Sequence, residues 1–147
     1  MGHPSGESQG QVHRLNLSIG AKPESLGWIR RALVGMGLPD QVIREGTLLT
    51  SELVTNSIRH AGLGPDDYID VAVTWSGTVL RVIVRDSGSG ALPSGIEAGS
   101  TRPSPGGQSG WGLYLVDKLA RRWGTSLEGS GGFWFELEYP RAAGPSI

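Results

Sequence analysis

The sequence contains no cysteine, which excludes disulfide frameworks, thiolate metal sites and cysteine nucleophiles. Charge is sparse too. Charged residues make up 18% of the chain and the formal net charge is −1, which argues against a nucleic-acid binder that works by neutralising phosphates. No apolar run approaches the roughly 18–20 residues of a membrane helix. The opening Met1-Gly2-His3-Pro4-Ser5-Gly6 lacks the basic-then-apolar pattern of a signal peptide. These absences predict a cytoplasmic protein with no membrane and no direct nucleic-acid partner.

What the chain has in abundance is backbone punctuation, with 24 Gly and 9 Pro among 147 residues. Hydrophobic residues account for 37%, enough for one core, and the length fits one domain of roughly 100–200 residues. Residues 1–11 are small and polar and read as a disordered leader, residues 12–140 as the domain, and residues 141–147 as a flexible tail.

Within the domain, residues 15–19 alternate at strand period. Pro23 and Glu24 open a helix that runs to about Met36, and Pro39-Asp40 opens a second that runs to about His60. Ile69, Val71, Val73 and Trp75, then Leu80, Val82 and Val84, alternate on either side of Ser76-Gly77, which predicts an antiparallel hairpin. Residues 87–109 are rich in Gly, Ser and Pro and read as a long loop, a feature that is usually functional in a compact domain. A third helix is expected over residues 111–122, followed by strands at 125–128 and 133–139. Hairpins with segregated helices predict an α+β fold, not a doubly wound parallel sheet.

Three constellations bear on chemistry. Glu52 and Asn56 stand at i and i+4 of the second helix, on one face at the rim of the stripe that holds Leu49 and Leu53. They could line a site or simply mark a solvent boundary. Asp86, in Asp86-Ser87-Gly88-Ser89-Gly90, is in phase with Leu80, Val82 and Val84, so its carboxylate faces apolar neighbours and needs a donor. An adenine amine would serve, and so would backbone amides of a turn at Gly88. Gly106-Gly107-Gln108-Ser109-Gly110-Trp111-Gly112-Leu113 leads into a helix whose exposed amides suit a phosphate, though it also reads as an ordinary loop. It lacks the Lys-Ser or Lys-Thr of a P-loop and the βαβ setting of a dinucleotide fingerprint.

Taken together and in this order, the three resemble the GHKL ATPase superfamily, which carries the Bergerat ATP-binding fold. Leu49-Thr50-Ser51-Glu52-Leu53-Val54-Thr55-Asn56-Ser57-Ile58-Arg59-His60-Ala61 resembles its N box. Val84-Arg85-Asp86-Ser87-Gly88-Ser89-Gly90 and Gly110-Trp111-Gly112-Leu113-Tyr114-Leu115-Val116 resemble its two glycine boxes. The ending Gly132-Phe133-Trp134-Phe135-Glu136-Leu137 is similar to the anti-sigma-factor serine kinases of the RsbW and SpoIIAB type. The likeness spans residues 12–140, and identifies that stretch as a histidine kinase-like ATPase domain.

The resemblance implies a two-layer sandwich, a mixed and mostly antiparallel sheet covered on one face by helices. It implies ATP and Mg²⁺ as cofactors, with Asn56 as metal ligand, Glu52 as general base and Asp86 as partner of the adenine amine. Gly88, Gly90, Gly110, Gly112 and Leu113 would border the nucleotide, with residues 87–109 as its lid. The implied function is a serine/threonine kinase and anti-sigma factor that phosphorylates an anti-anti-sigma (STAS) partner and sequesters a sigma factor; homodimers are common in that family. The alternative is a non-catalytic ATP-binding module that regulates by association, and a remoter one is a detached histidine-kinase catalytic domain. His60, just past the N box, reads as a helix-end residue and not as a phosphoacceptor. Trp28, Trp75, Trp123 and Trp134 are expected in the core or an interface. Two places depart from the family pattern: Trp111 between the glycines, and Gly131-Gly132-Phe133 before the last strand.

Overall fold

Period-two alternation builds the sheet. In β2 (Tyr68–Trp75), Ile69, Val71, Val73 and Trp75 are buried while Tyr68 and Asp70 are exposed. In β3 (Val79–Asp86), buried Leu80, Val82 and Val84 alternate with half-buried Arg81, Ile83 and Arg85. The computed structural model describes residues 12–60, 63–64, 66–86, 111–126 and 132–141. Over these, β1 (His13–Gly20), β4 (Arg122–Ser126) and β5 (Gly132–Glu138) complete a five-stranded sheet in the order β1-β2-β3-β5-β4. The sheet expected to be mixed and mostly antiparallel is antiparallel in all its described pairings, because β5 returns between β3 and β4 and opposes both. Gly77 closes the β2–β3 turn at φ +97°, a region that favours glycine, and the Ser76 hydroxyl accepts the Val79 N–H at 3.0 Å.

Three helices cover one face. A 3-10 turn, Pro23–Ser25, leads into α1 (Leu26–Gly35), so the first expected helix is a tight turn followed by an α-helix. Next come α2 (Asp40–His60) and α3 (Trp111–Leu119). The central helix, α2, packs against α1 on one side, α3 on the other and β3 beneath. Its buried stripe runs Val42, Gly46, Leu49, Leu53, Asn56, with spacings of four and three. The fit over β3 is tight: a Cβ on Gly46 would lie 2.7 Å from a methyl of Leu80. Leu33, Leu49, Leu53, Leu80, Val82 and Phe135 fill the space between layers, each worth about 1.5–3 kcal/mol of burial. This is the α+β two-layer architecture expected from the order of elements.

The third helix is shorter than its apolar pattern suggests. It stops at Leu119, and β4 begins at Arg122, where residues 111–122 were expected to be helical. The competing force comes from β5. The Arg121 N–H donates to the Glu136 carbonyl at 2.7 Å, and the Arg122 guanidinium grips the Glu136 carboxylate at 2.8 Å. Sheet pairing outweighs three more residues of helix.

The opposite face of the sheet is polar. Glu136 is buried there beneath Arg81 and Arg122, and Arg81 lies 4.6 Å from the ring centre of Trp134. Burial by itself raises the Glu136 carboxyl, but the hydrogen bonds and charges of Arg122 and Arg81 outweigh it and hold the group below the usual carboxylate range. Of the tryptophans, Trp75 is buried, and Trp123 and Trp134 are half-buried. Trp28 is 54% exposed, with the Arg31 guanidinium stacked 5.1 Å from its centre, so it is not a core residue.

Candidate functional site

The second half of α2 carries the first two predicted residues, and they differ in environment. Glu52 is half-buried. Asn56, expected beside it at the rim, continues the buried stripe and is 5% exposed. Its side-chain nitrogen is buried and has no hydrogen-bond partner among the described residues, an expensive condition that calls for an explanation such as a strained site, a water or a ligand. One turn separates the two residues, so they share a helix face. Thr47 and Thr50, earlier on the same helix, also bury hydroxyls without partners.

Asp86 ends β3. It keeps the phase of Leu80, Val82 and Val84, the side of the sheet on which α2 rests, and stands opposite Ile69 in the ladder. Asp86 is half-buried, less covered than the three aliphatic residues in phase with it. Gly112 and Leu113 lie in the first turn of α3. The calls on Gly88, Gly90 and Gly110, and on the lid at 87–109, lie outside the described residues. Because α2 packs on both β3 and α3, the elements that carry Glu52, Asn56, Asp86 and Gly112 are neighbours around one helix.

The residues fit a magnesium nucleotide. An Asn amide offers an oxygen that can ligate a hard cation and a nitrogen that can donate to a phosphate oxygen, and the unpartnered nitrogen of Asn56 is available for the second of these roles. Among the described residues, no three His, Asp or Glu side chains gather into a metal cluster. Mg²⁺ needs no such cluster, since it commonly takes one or two protein oxygens and completes its shell with phosphates and water. A cavity of about 590 Å³ lies instead between β1, Trp28 and Tyr68, and another of about 360 Å³ lies on the open sheet face by Asn16, Asp70 and Arg85. Neither touches Glu52, Asn56 or Asp86, so size alone does not mark the chemistry.

Sequence reasoning missed the burial of Asn56 and the two threonines. The spacing Val42, Gly46, Leu49, Leu53, Asn56 was the available signal, and it was hidden by a glycine at its second position. It also missed the contact between α3 and β4, where the Trp123 indole N–H donates to Asp117 at 3.1 Å.

The model of the histidine kinase-like ATPase domain family matches residues 19–132, well over half of the chain. No curated protein is significantly similar in sequence. Among solved structures, the RsbU and RsbW domains of Rv1364c from Mycobacterium tuberculosis match with a TM-score of 0.50 and 20% identity, a likeness of fold. That match covers 85% of this chain and 31% of the other, so the chain spans less than a third of the length of that relative. Among the described residues, no helix is long and apolar enough to cross a membrane. The family match, the orphaned amide of Asn56 and the inward phase of Asp86 converge, and the chain belongs to the histidine kinase-like ATPase domain family.

Proposed function

We propose that this chain is a Mg-ATP-dependent serine/threonine kinase that regulates by partner switching, with an anti-anti-sigma (STAS) protein as phosphoacceptor and a sigma factor as the sequestered partner. The buried, unpartnered amide nitrogen of Asn56, one turn after half-buried Glu52, carries this reading. Bound ATP and its Mg²⁺ would supply the γ-phosphoryl group and neutralise its charge. Asn56 holds the metal, Asp86 accepts the adenine amine, and the first turn of α3 turns its amides toward the phosphates. Gly88, Gly90, Gly110, Gly112 and Leu113 would border the nucleotide, as the family resemblance implies. Glu52 takes the proton of the partner's serine as that oxygen bonds to phosphorus and the bond to the leaving ADP breaks. Little else is required, because phosphoryl transfer depends mainly on positioning and charge.

Calorimetric titration with ATP, with and without Mg²⁺, tests the nucleotide half of the reading on the wild type and on Asp86→Asn. Magnesium-dependent binding that the substitution abolishes is the expected result, and no binding to the wild type overturns it. Phosphate transfer to a STAS partner tests the other half. Glu52→Ala should keep ATP affinity and lose transfer by about 10²–10⁴-fold, the range for a removed general base. A Glu52→Ala protein that regulates its partner normally would make the chain an association module instead.

A further inference from the structure

The third helix is short and held from behind. It spans nine residues, about 13 Å, and rests mainly on α2 and the edge strand β4. Val116 is its fully buried anchor. Only Ala120 and Arg121 separate it from β4. The Ala120 N–H donates to the Val116 carbonyl at 2.7 Å, and the Arg121 N–H donates to the Glu136 carbonyl at 2.7 Å. One side-chain bond then ties the helix to the strand: the Trp123 indole N–H donates to Asp117 Oδ1 at 3.1 Å. The indole is itself fixed, stacked on Phe133 with ring centres 5.4 Å apart and planes 15° apart. Phe133 in turn is buried on β5.

An indole N–H is a single donor with one direction, so a ring locked by stacking fixes where its acceptor must be. Asp117 sits six residues, just under two turns, from the amino end of a nine-residue helix. Fixing its azimuth therefore fixes the rotation of the whole helix, including the amides of the first turn. We propose that Asp117 and Trp123 are positioning residues, which set the rotation of α3 so that its amino-terminal amides meet the nucleotide phosphates. This rests on the nucleotide reading above and adds residues that touch no nucleotide. The pair acts on the phosphate end of the site alone, since adenine is assigned to Asp86 on a different element.

That division supplies the test. ATP and adenosine are titrated against the wild type, Trp123→Phe, Asp117→Ala and Asp117→Asn. Trp123→Phe keeps a stacked ring and removes the donor, and should weaken ATP about five- to tenfold, the scale of one hydrogen bond to a charged acceptor, while adenosine affinity stays unchanged. Asp117→Ala should match it. Asp117→Asn keeps an acceptor oxygen and should hold ATP affinity within about twofold of the wild type. A purely structural role would move adenosine and ATP together, and that result overturns the proposal. So does unchanged ATP affinity in both Trp123→Phe and Asp117→Ala. Should Trp123→Phe fail to fold by circular dichroism, the two Asp117 variants decide alone, because that residue is half-buried on a helix surface. A wild type that binds no ATP sinks the nucleotide reading itself, a result distinct from a wild type that binds and variants that bind equally well.

Discussion

Glu136 and Asn56 are buried to the same degree, and the fold treats them in opposite ways. Glu136 lies on the open face of the sheet, where Arg81 and Arg122 give its carboxylate four hydrogen bonds between 2.7 and 3.1 Å. Those bonds join β3, β5 and β4 across the sheet. Asn56 lies between the layers, and its amide nitrogen bonds to nothing. An unmet donor of this kind costs about 1–3 kcal/mol, with no structural return. The satisfied group reads as architecture, and under the function proposed above the unsatisfied one is a position kept for a ligand. Burial alone would not have separated them.

The contrast can be broken most directly at Asn56. Asn56→Leu removes the orphan with little change of volume, so thermal stability should hold or rise by about 1 kcal/mol. Magnesium-dependent ATP affinity should fall by about 100-fold or more, since even outer-shell partners of a metal are worth 10–100-fold. Calorimetry and a thermal melt on the same sample check both, and a marked loss of stability would make Asn56 architectural. Glu136→Leu should do the reverse, losing about 1–3 kcal/mol in urea unfolding while leaving ATP affinity intact. That cost stays low because the side chains of Arg81 and Arg122 are 40% and 62% exposed and can return to water.

Acid offers a milder version of that change. The folded Glu136 carboxyl lies below its usual 4.5, so its stabilisation is complete above about pH 4.5 and drains away as pH falls through the folded value. Glu136→Leu should flatten that part of the pH–stability curve, and an unchanged acid limb would break the assignment. The smallest effect is expected at Tyr139, whose hydroxyl donates to Glu45 at 2.5 Å. Burial and then the Glu45 carboxylate push the phenol up from its ordinary 10.0, so its contribution is full below about pH 10 and drains away as pH rises toward the raised folded value. Tyr139→Phe should cost about 1 kcal/mol and abolish that alkaline loss, read from melts at neutral and high pH.

Period carried most of the fold in the sequence. Ile69, Val71 and Val73 face inward because neighbours in a strand alternate, and that is visible residue by residue. The hairpin followed from Ser76-Gly77, where the backbone demands what glycine supplies. What stayed hidden was set by partners far along the chain. Helix α3 ends where it does because Arg122 meets Glu136, fourteen residues later, and no local propensity encodes that meeting. The site shows the same division. The residue types and spacing of Glu52, Asn56 and Asp86 were legible, but the missing partner of Asn56 was not, because it depends on every atom packed around it.

The last of the described strands is not at the edge of the sheet. Strand β5 lies between β3 and β4, pairs with both, and puts fully buried Phe135 beneath the helices. During synthesis, Glu52, Asn56 and Asp86 therefore leave the ribosome well before the strand that completes the sheet beneath them. Until residues 132–138 arrive, β3 keeps an open edge of unpaired backbone groups, which invites pairing with another nascent chain. Competence for ligand is thus deferred until β5 has been made.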